Sequence, residues 1–318
     1  MSSPLPAPCW VIHDGAAGNR RQALALAQAL QLPAREWSLQ ANLVARWGAP
    51  RAFPGARFGP EFDSALRAPD AALAIGCGRI AALATRQLRL AGVPAVQILD
   101  PRITTRHWDL VIAPEHDGLR AENVLTLLGS LNPVDAQWLQ RARAENPQPG
   151  KLSSPRTAVL LGGPTRATGF DRSALEVLCA KLEYWLARDG GSVLLCASAR
   201  TPRDWAGLLR DRYRDQSNLV WIDDSDGPNP YAAVLAWADR IVVSPDSVNM
   251  VSEACATQVP VFVAEPDRAT GRVGVFLQLL LARGRIRAQE RDSLMFASAA
   301  LIETPRIATL VRERLSLR

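Results

Sequence analysis

Lysine, histidine, long apolar runs and paired cysteines are all scarce in this sequence, and each shortage removes a class of explanation. Nowhere in its 318 residues does an uninterrupted apolar stretch approach the roughly 20 residues that a bilayer crossing needs, so a membrane-spanning chain is not expected. The opening Met1-Ser2-Ser3-Pro4-Leu5-Pro6 lacks the basic and apolar regions of an export signal, which points to a cytoplasmic protein. Five cysteines (Cys9, Cys77, Cys179, Cys196 and Cys255) are scattered without the paired spacings of zinc or redox sites, as in a reduced chain without disulfides. The histidines, His13, His107 and His116, match no metal-binding spacing, so neither a metal nor a bound cofactor is expected. There is no Gly-x-Ser-x-Gly elbow, no Gly-x-x-x-x-Gly-Lys loop and no Gly-x-Gly-x-x-Gly fingerprint, which weighs against hydrolase, P-loop and dinucleotide-binding readings.

The net charge is +6 and is carried almost wholly by arginine, which favours acidic partners such as phosphates, nucleotides or anionic headgroups. The arginines are spread along the chain and do not form a stripe with interleaved aromatics, so a nucleic-acid partner is not expected. Hydrophobic residues make up 48% and charged residues 21%, the composition of a folded globular chain long enough for two domains.

Short apolar runs alternate with longer amphipathic segments, the pattern of βα units around a mostly parallel sheet. A first series has strands at Cys9 to His13, Ala71 to Ile75, Ala95 to Leu99 and Leu110 to Ala113, with helices at Asn19 to Leu30 and Ile80 to Ala91. A second series has strands at Thr157 to Leu161, Ser192 to Ala197, Leu219 to Ile222, Arg240 to Val243 and Val259 to Ala264. Turn and breaker residues concentrate between the two series, at Asn146-Pro147-Gln148-Pro149-Gly150 and Ser153-Ser154-Pro155. The expected organisation is therefore an N-terminal Rossmann-like domain over 1–140, a linker over 141–156, a C-terminal Rossmann-like domain over 157–290 and a closing helical segment over 291–318.

Several strand ends carry ligand chemistry. Ser244-Pro245-Asp246-Ser247 leads from a strand into a helix that Ser247 or Asp246 can cap, leaving first-turn amides to attract a phosphate, with Glu253 two turns on as an acceptor for ribose hydroxyls. The same residues serve equally well as an ordinary cap with a solvated glutamate. Gly162-Gly163-Pro164-Thr165-Arg166 would let backbone approach a ligand, Ser198 and Arg200 supply a hydroxyl and a cation, and Asp223 to Tyr231 forms a polar loop able to border a base. In the first series, His13 and Asp14 stand at a strand end before Gly15 and Gly18, a position for a general base, and Glu115-His116-Asp117-Gly118 follows another strand. Either His-Asp pair also reads as a hydrogen-bonded loop.

Taken together, His13-Asp14-Gly15 with Gly18-Asn19, Gly76-Cys77-Gly78-Arg79, Asp100-Pro101-Arg102, Pro114 to Asp117, Leu161 to Pro164 and Ser244 through Glu253 resemble the mitochondrial-fission ("elongated mitochondria") family, over about Cys9 to Arg287. That family looks like the GT-B architecture: α/β, two Rossmann-like domains with mostly parallel sheets facing across a cleft, nucleotide-sugar donor on the C-terminal domain and acceptor on the N-terminal one. The stretch from Ser244 is also similar to the donor-binding segment of lipid-linked N-acetylglucosaminyl transferases, with Ser-Pro-Asp-Ser in place of a glycine-rich loop. Carried across by position, Ser247 and Asn249 would face the diphosphate and Glu253 the ribose, with Met250 among the substrate-binding residues.

The resemblance implies a metal-independent glycosyltransferase that moves a sugar from a nucleotide donor, UDP by expectation, to a cell-envelope or other glycan or lipid-linked acceptor. It would work in the cytoplasm or peripherally at the inner membrane. Arg166 or Arg200 and the Ser247 helix end would stabilise the departing diphosphate, and Gly162, Gly163, Thr165 and Ser198 would line the donor pocket. Gly15 and Gly18 would border the substrate beside Asp14, the first choice of base, with His116 and Asp117 second. A non-enzymatic adaptor is the alternative, because plant members of the family are associated with recruiting a dynamin-related protein. A nucleotide-sugar epimerase is a minor one, since neither Lys151 nor Lys181 completes a Tyr-x-x-x-Lys pair.

Overall fold

The computed structural model of the chain describes residues 7–51 and 54–317; the Met1–Pro6 stretch read above for an export signal lies outside them. Along the chain run β1 (Cys9–His13), α1 (Ala17–Ala29), β2 (Ala34–Ser38), α2 (Leu43–Gly48), α3 (Pro60–Ala65), β3 (Leu73–Cys77), α4 (Arg79–Leu90), β4 (Ala95–Ile98), β5 (Leu110–Pro114) and β6 (Val124–Leu127). There follow α5 (Ala136–Glu145), β7 (Arg156–Leu160), α6 (Arg172–Asp189), β8 (Ser192–Cys196), α7 (Arg203–Tyr213), β9 (Leu219–Trp221), α8 (Tyr231–Trp237) and β10 (Arg240–Val243). The chain ends with α9 (Val248–Cys255), β11 (Val261–Val263), α10 (Gly271–Ala282), β12 (Ile286–Ala288) and α11 (Thr304–Arg314).

Two compact units result: Met1–Pro133 with Glu303–Arg318, and Val134–Ile302. Each contains a six-stranded sheet, in the order β2-β1-β3-β4-β5-β6 in the first and β12-β11-β10-β7-β8-β9 in the second. Every strand pair is parallel. A parallel sheet covered by helices on both faces requires strands that are largely apolar, and the central strands β1, β3, β7, β8 and β10 are of this kind, with His13, Arg156, Thr157, Ser192 and Arg240 confined to strand ends. In β1 the pleat sends Cys9 and Val11 into one core with Leu26, Ile307 and Val311, and Trp10 and Ile12 into the opposite core with Trp37, Phe58 and Phe62. In the second unit Val159, Val193 and Leu195 pack against α6 and α7 around Trp185, Trp205 and Phe262.

The segmentation differs in detail from the sequence expectation. Residues 141–156 are not a free linker: they hold the second half of α5 and a 3-10 turn at Gln148–Lys151, and Arg143 Nε donates to the Ala236 carbonyl at 2.6 Å, tying the segment to its own unit. Among the described residues of the expected 291–318 helical segment, only Thr304–Arg314 is helical. Just before it the chain has no regular secondary structure and packs locally, with the Leu301 amide on the Cys255 carbonyl and Phe296 edge-on to Phe262. Then α11 returns to the first unit, where Ile307, Ala308 and Val311 complete the core under α1.

Candidate functional site

In an open parallel sheet, loops leaving the carboxyl ends of neighbouring strands splay apart where the strand order reverses, and that gap is where ligands bind. In the second unit the order reverses between β7 and β10. The loop after β7 carries Gly162 to Arg166, the loop after β10 carries Ser244 to Ser247, and the ends of β8 and β9 lie next in the sheet. The structure therefore brings together the four polar strand ends singled out in the sequence.

Hydrogen bonds lock these loops to one another. The Gly162 amide donates to Ser244 Oγ at 2.8 Å, the Gly163 amide to Asp246 Oδ2 at 3.2 Å, and Ser244 Oγ donates to Asp246 Oδ1 at 2.6 Å. Thr201 Oγ1 donates to the Gly162 carbonyl at 2.6 Å and accepts the Ser198 amide at 3.1 Å, while the Arg200 amide donates to Ser198 Oγ at 3.2 Å. Arg200 Nη2 meets Asp246 Oδ2 at 2.7 Å, on a side chain that is 51% exposed while that of Asp246 is fully covered. A buried carboxylate here would oppose an anion, so the Arg200 pairing is what keeps the edge from being negative.

These contacts change the meaning of several residues. Gly162 and Gly163 were expected to let backbone approach a ligand, but their amides are spent on Ser244 and Asp246. A Cβ at Gly162 would lie 2.0 Å from Asp246 Oδ2, and one at Gly163 2.1 Å from the Arg200 carbonyl. Glycine is required by protein packing. Asp246 is not the helix cap; Ser247 is, accepting the Met250 amide at 3.3 Å. The first-turn amides of Val248 and Asn249 have no carbonyl within the helix to bond, and acidic residues are absent from that turn, which leaves α9 a positive end. Thr165 is tied to Thr168 through their hydroxyls at 2.9 Å, and Arg166 is exposed on the same loop.

Of the two readings open for Glu253, ribose acceptor or solvated helical glutamate, burial removes the second. Glu253 is buried, not solvated, and Tyr231 at the start of α8 donates its hydroxyl to Oε2 at 2.5 Å. Asn229 accepts the Tyr231 amide at 2.9 Å, so the β9 loop is fastened beside α9. Tyr231 is the residue of this site whose role the sequence concealed: no spacing rule links a tyrosine after Pro-Asn-Pro to a glutamate 22 positions later.

In the first unit the order reverses between β1 and β3. Asp14 leaves β1 half-buried, its Oδ1 accepting the Ala16 amide at 3.1 Å and Asn19 Nδ2 at 3.0 Å. Gly78, at φ 91°, leaves β3 so close that a Cβ would lie 2.5 Å from Asn19 Nδ2 and 3.6 Å from Asp14 Oδ2. His13 is buried; its Nε2 lies 3.0 Å from Glu36, and its Nδ1 accepts the Gly15 amide at 3.1 Å. The Arg20 guanidinium on Glu36 holds that carboxyl below its usual range. Gly15 is exposed in the turn, and Gly18 lies in the first turn of α1. His116 and Asp117 sit in a 3-10 turn after β5, three strand spacings from β1, or about 14 Å. The two candidate bases are alternatives and cannot be hydrogen-bonded partners. Among the described residues no cluster of three or more His, Cys, Asp or Glu side chains has a metal-binding arrangement.

The family model described as mitochondrial fission ELM1 matches residues 17–315. The chain belongs to the mitochondrial fission ELM1 family. Mitochondrial fission protein ELM1 of Arabidopsis thaliana is 30% identical to this ELM1-family chain over 276 residues, 77% of the chain and 64% of the plant protein. The chain thus spans less than two thirds of that relative's length. A Rickettsia prowazekii protein, named only as uncharacterised protein RP120, is 21% identical over 97% of this chain and 98% of its own. Among solved structures, the UDP-GlcNAc 2-epimerase of Methanocaldococcus jannaschii aligns over 96% of this chain and 99% of that one, with a TM-score of 0.61 at 12% identity. The ELM1-family chain therefore has a two-domain α/β fold of the GT-B-like type.

Proposed function

We propose that the protein binds a nucleotide sugar, of the UDP type, on its second unit and transfers the sugar to a cell-envelope or other glycan acceptor. The observation that carries this reading is the Ser247-capped end of α9 beside Arg200 at the β7/β10 reversal, a cationic and dipolar edge placed where the fold binds ligands. The likeness to an enzyme named for UDP-GlcNAc supports it.

In this reading the Val248 and Asn249 amides and the Arg200 guanidinium receive the diphosphate and stabilise its charge as the glycosidic C–O bond breaks. Arg166 adds a second cation from the β7 loop. The Glu253 carboxylate, held by Tyr231, meets the ribose hydroxyls once nucleotide is seated, with Asn249 and Met250 along the same face of α9. On the first unit Asp14 takes the acceptor hydroxyl proton through Oδ2, the oxygen not engaged by Ala16 and Asn19; His116 and Asp117 are the second choice.

The experiment is thermal unfolding of the purified protein against a panel of nucleoside diphosphates and nucleotide sugars, followed by assay of released nucleoside diphosphate. UDP or a UDP-sugar should raise Tm, and Glu253→Gln, which keeps a hydrogen bond to Tyr231, should abolish most of the rise. If no nucleotide moves Tm in the wild type, the reading is lost. A second reading, epimerisation of the bound sugar, is favoured by the Methanocaldococcus likeness. Product analysis separates the two, because an epimer forms from the nucleotide sugar without any acceptor.

A further inference from the structure

The six-residue helix α2, Leu-Val-Ala-Arg-Trp-Gly, is turned inside out. A surface helix ordinarily buries its large apolar side chains and exposes small or polar ones. Here Ala45 and Gly48 are buried, while Leu43 is 73%, Val44 41% and Trp47 87% exposed. The orientation is built and not a frayed end. Asn42 caps the helix through the Ala45 amide at 2.9 Å, and Arg79 clamps its far end by donating to the Arg46 and Ala49 carbonyls at 2.7 and 2.8 Å.

The charge beside it is mainly basic, with Glu61 and Asp63 following in α3. Between Gln40 and Pro60 the sequence has Arg46, Arg51 and Arg57 and no acidic residue. All three arginines are exposed, as is Arg79, and among the described residues none of the four forms an ion pair. Protruding tryptophan and leucine beside the exposed Arg46, Arg51 and Arg57 match a bilayer interface, where the indole and leucine enter the acyl boundary and guanidinium groups meet lipid phosphates.

We propose that α2 is a membrane-docking element that seats the protein on a bilayer carrying anionic lipid. Nothing in this assignment depends on the nucleotide reading, since the residues belong to the first unit and the proposed nucleotide site to the second.

The test is flotation of the full chain with vesicles of phosphatidylcholine alone or with about 30 mol% phosphatidylglycerol. The wild type should float with the anionic vesicles only and lose binding as salt is raised. Leu43→Ala with Trp47→Ala should reduce the bound fraction about tenfold or more, and Arg46→Glu with Arg51→Glu and Arg57→Glu should reduce it about a hundredfold or more. Reversing three exposed arginines elsewhere, Arg106, Arg141 and Arg203, should leave binding intact. All the altered side chains are exposed, so Tm should stay at the wild-type value and loss of fold is read out separately. Binding to neither vesicle, equal binding to both, or loss of binding in the Arg106/Arg141/Arg203 variant equal to that in the α2 variants would overturn the proposal.

Discussion

The side chain on which most of the second unit's site depends is Asp246, because it accepts from Gly163, Ser244 and Arg200 at once and fills the space a Cβ would need at Gly162. Gly162→Ala should therefore act at a distance from any ligand. The carboxylate is displaced, Arg200 loses its anchor, and stability falls by about 2 kcal/mol or more from overpacking and a disturbed buried carboxylate. Chemical denaturation checks the first effect, and loss of the nucleotide-induced rise in Tm checks the second. A different carboxylate gives a pH test. The Arg188 hydrogen bond, with help from the buried Arg240 guanidinium at 2.6 Å, draws Asp189 down to about 2. A folded-state value below the unfolded one means that the ionised form stabilises the fold at neutral pH and that this contribution fades as pH falls from about 4 towards 2. Asp189→Asn should thus cost about 1 kcal/mol at pH 7, because solvent screens a carboxylate as exposed as Asp189. The gap between variant and wild type should close in acid; a gap that is constant from pH 7 to pH 2.5 contradicts the assignment.

Helix α9 concentrates the functional argument in one element, and its cap can be altered without touching its core. Ser247→Ala should cost about 1 kcal/mol in denaturation experiments and should weaken nucleotide binding, since the first turn frays where the diphosphate is proposed to sit. Retained affinity with reduced stability would place the nucleotide elsewhere. The strands were legible to very different degrees. β1, β10 and the other interior strands were readable as apolar runs because both of their faces are buried. The three that escaped, β2, β6 and β12, are all sheet edges, and β2 buries only Trp37 of its five residues. An edge strand is half covered, so Ala-Arg-Glu-Trp-Ser has neither a continuous apolar run nor clean alternation. The candidate site was legible where local chemistry marks it, as in the Ser247 cap. Contacts that exist only after folding were hidden, among them Tyr231 on Glu253, Asp246 beneath Gly162 and Asn19 beneath Gly78.

At the scale of the whole chain, the closing helix shows why linear order misleads. Thr304–Arg314 follows the second unit in sequence, yet its Ile307 and Val311 are fully buried in the first unit's core. Ile307→Ala should cost about 2–5 kcal/mol, and hydrogen exchange should show the added opening in β1, α1 and β3 and not in the second unit's sheet. Among the described residues no helix is long and apolar enough to cross a membrane. Membership of the mitochondrial fission ELM1 family and a GT-B-like fold leave the chemistry to be decided at the site. The direct measurement is a crystal structure of the protein soaked with UDP. The account predicts the diphosphate within hydrogen-bond distance of the Val248 and Asn249 amides and of Arg200, with the ribose towards Glu253. Nucleotide bound at any other edge, or no nucleotide density at the β7/β10 reversal from a saturating soak, would contradict it.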